Sequence, residues 1–330
     1  MKKILLFILL LISFANASDY VEIKINKLHG LISFTESLVS TTYSLKSFKK
    51  TYNEKYQKDT QAQKKLSKYK TLYEKVKVSR IYNYKKTVNL YKMIKIESTF
   101  AKSLEELREM VFMHKTAIDK DKLREYFKLL KYFLPIYDEL IWKKNYKKLI
   151  SKAADIKELM IKSKYDLLIK RAARFYGLKS TQIETIYLSL YPIPSGNNTL
   201  AFMLGDVESI GVLTNKKKSN VMWLLSATVF HEIVHVFYDK QKKKIASYFK
   251  NYKRKSTKKV EKIFNESMAT SIGAGWAFYK VSNGLVANGA WYNNKEYNRF
   301  AKIIYPTVSE YLDNNKTMDR EFFSKIINLY

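Results

Sequence analysis

The sequence predicts a mainly α chain with one small antiparallel β-sheet, an α+β class, and three observations carry that prediction. Between Gly30 and Gly177 the only glycine or proline is Pro135, so little interrupts helical propagation. Residues 181–213 change period: β-prone runs are divided by Pro192, by Pro194-Ser195-Gly196-Asn197-Asn198 and by Gly205-Asp206. From Val221 a long apolar helical pattern begins and carries His231-Glu232-Ile233-Val234-His235. These changes divide the chain into a signal peptide at 1–17, a helical amino-terminal region at 18–180 and a second domain at 181–330.

At the start, Met1-Lys2-Lys3 precedes the apolar run Ile4 to Phe14 and the small residues Ala15 and Ala17. That order predicts a secretory signal peptide cut after Ala17, and so an exported chain, periplasmic or secreted. The apolar run is too short to span a bilayer as a stable helix. With no cysteine there is neither a lipoprotein anchor nor a disulfide.

Ser47 to Lys77 sets Phe48, Tyr52, Tyr56, Leu66, Tyr69, Leu72, Tyr73 and Val76 at loose helical spacing among lysines, which suits an amphipathic hairpin with a solvated basic face. Ser103-Leu104-Glu105-Glu106 reads as a capping box that opens a helix through Val111 and His114. Further helices are expected at Leu123–Tyr132, Tyr137–Leu149 and Ser151–Tyr176, the last closed by Gly177. His29, beside Gly30, reads as a turn residue, and neither it nor His114 is expected to bind metal. The runs Ile183–Tyr191, Thr199–Leu204 and Ser209–Leu213 would form the sheet, with Asn220 or Ser219 capping the helix that follows.

The two histidines of that helix stand at i and i+4, so their imidazoles leave one face a turn apart and can bind one metal ion. Only 4 histidines occur in the chain, and the surrounding helix is almost wholly apolar, where two imidazoles and a carboxylate need a partner. Glu232 sits about 100° round the helix from His231, within reach of a water held by the metal, as a general base. Catalytic zinc takes three protein ligands, so a third must come from elsewhere. A second helix, from Ser256 or Thr257 towards Gly284, carries Glu266 and the small residues Ala269, Ser271, Gly273, Ala274 and Gly275, which permit close helix approach.

With Asn265-Glu266-x-x-Ala269 downstream of His231-Glu232-x-x-His235, residues 183–284 resemble the gluzincin metallopeptidases, the clan of thermolysin and the zinc aminopeptidases. The resemblance implies one Zn2+ held by His231, His235 and Glu266, with Glu232 activating water for peptide-bond hydrolysis. It also implies a sheet above the zinc whose edge strand, here Thr199–Leu204, pairs with an extended substrate. The chain departs from the clan in several places. A basic insert, Lys242 to Lys259, lengthens the interval to Glu266 and leaves Glu261 as a competing ligand. Thr270 stands where thermolysin-like enzymes place a carboxylate that orients a zinc histidine, and the aminopeptidase Gly-x-Met-Glu-Asn segment is absent. No histidine follows His235, which leaves Tyr292, Tyr297 and Tyr305 as unranked candidates for oxyanion stabilisation.

A formal charge of +31 suggests a polyanionic partner, an anionic envelope surface, although AT-biased coding alone yields the same Lys, Tyr, Ile and Asn richness. Nucleic acid is not expected of an exported chain without a nucleic-acid module. The expected partner at the motif is a peptide or protein substrate. Two other readings remain open: an envelope-associated basic helical binding protein with a structural or inactive metal site, and an amidase acting on cell-wall peptides. Oligomeric state cannot be read from the sequence.

Overall fold

The computed structural model describes residues 18–40, 46–81, 88–195, 200–214, 219–252 and 255–330, so the signal peptide read at 1–17 and the start of the strand read from Thr199 lie outside the described residues. The chain is mainly helical with one small four-stranded sheet. The described residues form two compact units, one within 18–22, 154–186 and 219–330, the other within 23–153 and 187–214. Residues 154–180 therefore pack with the carboxy-terminal segment, and residues 187–214 with the amino-terminal helices.

In the unit of residues 23–153 and 187–214, the strands are β1 (Val21–Ile25, which begins in the other unit), β4 (Ile186–Ile193), β5 (Leu200–Leu204) and β6 (Val207–Leu213), in the order β1-β4-β6-β5. The expected antiparallel sheet is mixed: β5 and β6 form an antiparallel hairpin, but β4 runs parallel to β6 from Tyr187↔Val207 to Ile193↔Leu213. The reason is burial. Every residue of β6 and nearly every residue of β4 is buried, the near-continuous burial typical of parallel pairs, whereas a half-solvated antiparallel sheet alternates. Gly205, at φ +74°, makes the two-residue turn between β5 and β6, and β5 is an edge strand, as expected.

The helices of this unit are α1 (Lys27–Val39), α2 (Lys46–Tyr56), α3 (Thr60–Val78), α4 (Leu90–Glu97), α5 (Leu104–Phe112) and α6 (Lys120–Tyr137), with a short antiparallel pair β2 (Arg80–Ile81) and β3 (Val88–Asn89). The pair α2 and α3 is the basic hairpin read from the sequence, and it buries Phe48, Tyr52, Tyr69, Leu72, Tyr73 and Val76. Ser103 caps α5 as expected, its hydroxyl accepting from Glu106 N, while the Glu106 carboxylate reaches back to Lys102 N. Pro135 does not end its helix. The chain runs on through a π-helical turn at Asp138–Trp142 into α7 (Lys143–Lys162). The break falls at Lys164 instead, in the left-handed region at φ 51°.

His29 is not a turn residue but lies fully buried inside α1. Gly30 serves packing rather than a turn: a Cβ there would stand 2.0 Å from the Tyr137 hydroxyl. His29 Nδ1 faces the Lys95 carbonyl at 3.1 Å and Nε2 faces Ser209 Oγ at 2.7 Å, so a neutral ring donates to the carbonyl and accepts from the serine. Nearby, the buried Lys95 donates to Glu36, which also accepts from Tyr73.

The unit of residues 18–22, 154–186 and 219–330 holds α8 (Tyr165–Phe175), α9 (Ser219–Trp223), α10 (His231–Lys250), α11 (Lys255–Thr270), α12 (Phe278–Val281), α13 (Lys295–Asp313) and α14 (Arg320–Leu329). Asp319 caps α14, because its carboxylate accepts from Phe322 N. The continuous run Val221–Lys250 is long and apolar enough to cross a membrane by length and composition, and 56% of its apolar window is buried inside the fold, as in a core helix.

Burial, the Lys95 charge second, lowers the His29 pKa from 6.5 to about 3 despite the hydrogen bond to the Lys95 carbonyl. Between those values the unfolded chain binds the proton and the folded chain does not, so stability is full above pH 6.5 and falls on acidification. Urea unfolding should show wild type losing about 2 kcal/mol from this group between pH 7.5 and pH 5, a loss missing in His29→Gln.

Candidate metal centre

α10 opens on His231 and presents His235 one turn later, as the spacing requires. Their Nε2 atoms lie 3.0 Å apart, and the rings meet edge to face. α11 packs against α10 and brings Glu266 to both: Oε2 is 3.5 Å from His231 Nε2, and Oε1 is 3.6 Å from His235 Nε2. Glu232 joins them, one of its oxygens and the two ring nitrogens lying within 4.8 Å of one another. Glu261, the competing ligand, is exposed and helps raise the pKa of Tyr238.

These donors fit a tetrahedral ion. Ligand atoms about 2.0–2.2 Å from zinc stand about 3.3–3.6 Å from one another; the ring nitrogens lie 3.0 Å apart and each faces a different oxygen of Glu266 at 3.5 Å and 3.6 Å, so either oxygen or both could complete the set. Tautomer argues the same way. His235 Nδ1 lies 3.1 Å from Asn265 Oδ1, an acceptor, so Nδ1 is the donor to Asn265 and Nε2 is turned towards His231, the orientation a ligand nitrogen needs. Glu266 Oε2 is buried without a hydrogen bond, an acceptor whose desolvation a cation would offset. The His231 imidazole first, then His235 and Tyr292, hold the Glu266 carboxyl down at about 2 against the effect of burial, so it is anionic at any ordinary pH.

The local fold explains the convergence. Leu224–Phe230, just before His231, and Ser271–Ala277, just after Thr270, are both π-helical, and the two segments pack on each other. Turns of this kind are rare and concentrate at functional sites. Gly273 is the small residue that the approach needs: a Cβ there would stand 3.0 Å from Ser226 O and 3.1 Å from His231 N. Gly275 likewise makes room for the Tyr305 ring.

Among the three tyrosines, Tyr292 lies at the cluster. Its ring stacks on His231, centroids 5.7 Å apart and planes 9° apart, and burial followed by the charge of Glu266 raises its phenol to about 12. Asn298 Oδ1 accepts from Trp291 N and Tyr292 N and holds that loop. The Tyr297 ring meets that of Tyr292, and Tyr305 packs against Trp291 and Gly275. Thr270 is buried with no hydrogen-bond partner for its hydroxyl among the described residues, and Asn265 orients His235 in place of a carboxylate. Asn265 stood in the motif from the outset, but nothing in its spacing assigned it that contact.

Comparison with protein families, with curated proteins and with solved structures finds no match.

Zinc titration against a chromophoric chelator should separate the two glutamates. Glu266→Gln is expected to weaken binding by about 100-fold or more and Glu261→Gln to leave it unchanged, with Asn265→Ala between them at about 10- to 100-fold. Equal affinity in wild type and Glu266→Gln would exclude this ligand set.

Proposed function

We propose that the chain is an exported zinc metallopeptidase of gluzincin type, hydrolysing peptide bonds of protein or peptide substrates. The observation that carries the reading is the convergence of Glu266 from a second helix on the paired imidazoles, beside a carboxylate that need not be a ligand. His231, His235 and Glu266 would hold the ion, whose chemistry is Lewis acidity towards water and a carbonyl oxygen.

Each other group has a part that its placement supports. Glu232 accepts the proton of the attacking water at its carboxylate and returns it to the leaving amine nitrogen, a transfer that needs a carboxylate ionised at rest. Tyr292, with its phenol raised to about 12, keeps its proton at neutral pH and can donate it in a hydrogen bond to the oxygen that gains charge in the transition state. Asn265 holds His235 in one tautomer and one orientation throughout. His29, buried elsewhere, and His114, bonded to Glu97, take no part.

Glu232→Gln should abolish cleavage of a casein or peptide-library substrate, a loss of at least about 1,000-fold, with zinc content unchanged, and Tyr292→Phe should lower kcat by about 10- to 1,000-fold with little change in KM. A wild-type protein that binds zinc yet cleaves neither proteins nor cell-wall peptides would refute the reading in favour of a structural site, and cleavage of cell-wall peptides alone would make it an amidase.

A further inference from the structure

Ser18 would be the first residue of the chain after cleavage at Ala17, and the fold places it with care. It is 5% exposed, its hydroxyl accepts from Tyr20 N and Val21 N, and that hydroxyl donates to Asp166 Oδ1. Asp19 N donates to the other oxygen, Asp166 Oδ2, at 2.9 Å. One carboxylate thus binds both of the first two residues. Asp166 lies in the first turn of α8, and among the described residues no lysine or arginine pairs with it, although Lys164 and Lys170 line the same surface hollow. The carboxylate thus turns to a serine hydroxyl and a backbone amide rather than to either lysine of the hollow, which sets it within reach of the Ser18 nitrogen.

We infer that Asp166 is the seat of the mature amino terminus: signal-peptide cleavage between Ala17 and Ser18 creates an α-ammonium that pairs with the Asp166 carboxylate. Hydrolysis adds one water across the bond, leaving a carboxylate on Ala17 and the ammonium on Ser18, with a membrane signal peptidase as the catalyst. The inference rests on the export reading and not on the peptidase reading. It also bears on the metal helix. Tyr165, next to Asp166, donates to Leu225 O at 2.8 Å and packs edge-on against Phe230, so the pair anchors the end of α8 that supports the π-helical turn before His231.

The test is a cycle on the chain beginning at Ser18, with its amino terminus free or N-acetylated, each carrying Asp166 or Asp166→Asn. The free amino terminus should raise the melting temperature by about 2–4 °C over the acetylated form, and the difference should vanish in Asp166→Asn. In an NMR titration of the reductively methylated terminus, the α-amine pKa should lie above its usual value of about 7.7–8.0 and return there in Asp166→Asn. Equal melting temperatures and an unshifted amine would overturn the pairing, and an exported protein whose first residue by mass spectrometry is not Ser18 would overturn the processing step. None of these readouts depends on zinc or on activity, so the inference and the peptidase reading can fail separately.

Discussion

Two ring nitrogens facing each other at 3.0 Å, with a carboxylate 3.5 Å and 3.6 Å away, set the constraint around which the unit of residues 18–22, 154–186 and 219–330 is built. Three acceptors cannot crowd together in a half-buried site without something positive between them. His231 Nε2 faces both His235 Nε2 and Glu266 Oε2, so the three groups meet at one point, where a proton or a divalent ion could sit between them. The rest follows from holding α10 and α11 close enough for that crowding. Gly273 lets the backbones approach, Asn265 fixes the ring of His235, and Tyr292 covers the face of His231.

Most of this site was legible in the sequence, because its information is local. An i, i+4 histidine pair needs only a helix to become a bidentate claw, and the small residues around Gly273 announce close packing whatever the fold. The choice between Glu266 and Glu261 was less legible from spacing, since five residues turn a helix through well over a full turn and point the two side chains to different sides. The choice among Tyr292, Tyr297 and Tyr305 was not legible, since it depends on how the loop held by Asn298 returns to the cluster. Helix content was readable for the same local reason, whereas strand direction was not. Parallel and antiparallel neighbours of an apolar strand differ in what covers its two faces, and that is decided by segments far away in sequence.

His29 shows a related limit. Histidine beside glycine suggests a turn, yet glycine at a helix crossing gives room to a neighbour, here the Tyr137 hydroxyl. The chain has 26 tyrosines, and many are buried; some hydroxyls are tied into polar clusters, as Tyr69 is to Thr35 and Tyr73 to Glu36, while those of Tyr91, Tyr137, Tyr176 and Tyr191 have no hydrogen-bond partner among the described residues. Such a core gains area from large rings, and where a polar tip is paired the packing is specified by a hydrogen bond as well as by shape. A lysine-rich surface over a tyrosine-rich interior need not imply an anionic partner; the composition has a structural use on the inside.

The π-helical turns set the phase of the candidate ligands His231, His235 and Glu266. Each such turn carries one more residue than an α-helix of the same height, so Leu224–Phe230 and Ser271–Ala277 act as single-residue insertions that let the apolar faces on either side of them point to the same core. Loss of one residue from either would let the segment close into a regular α-helix with the flanking faces still in phase, whereas a further insertion would rotate the chain beyond it by about 100° and bring polar positions into the core. The two stretches should therefore tolerate a one-residue deletion better than the regular turns of the same helices do.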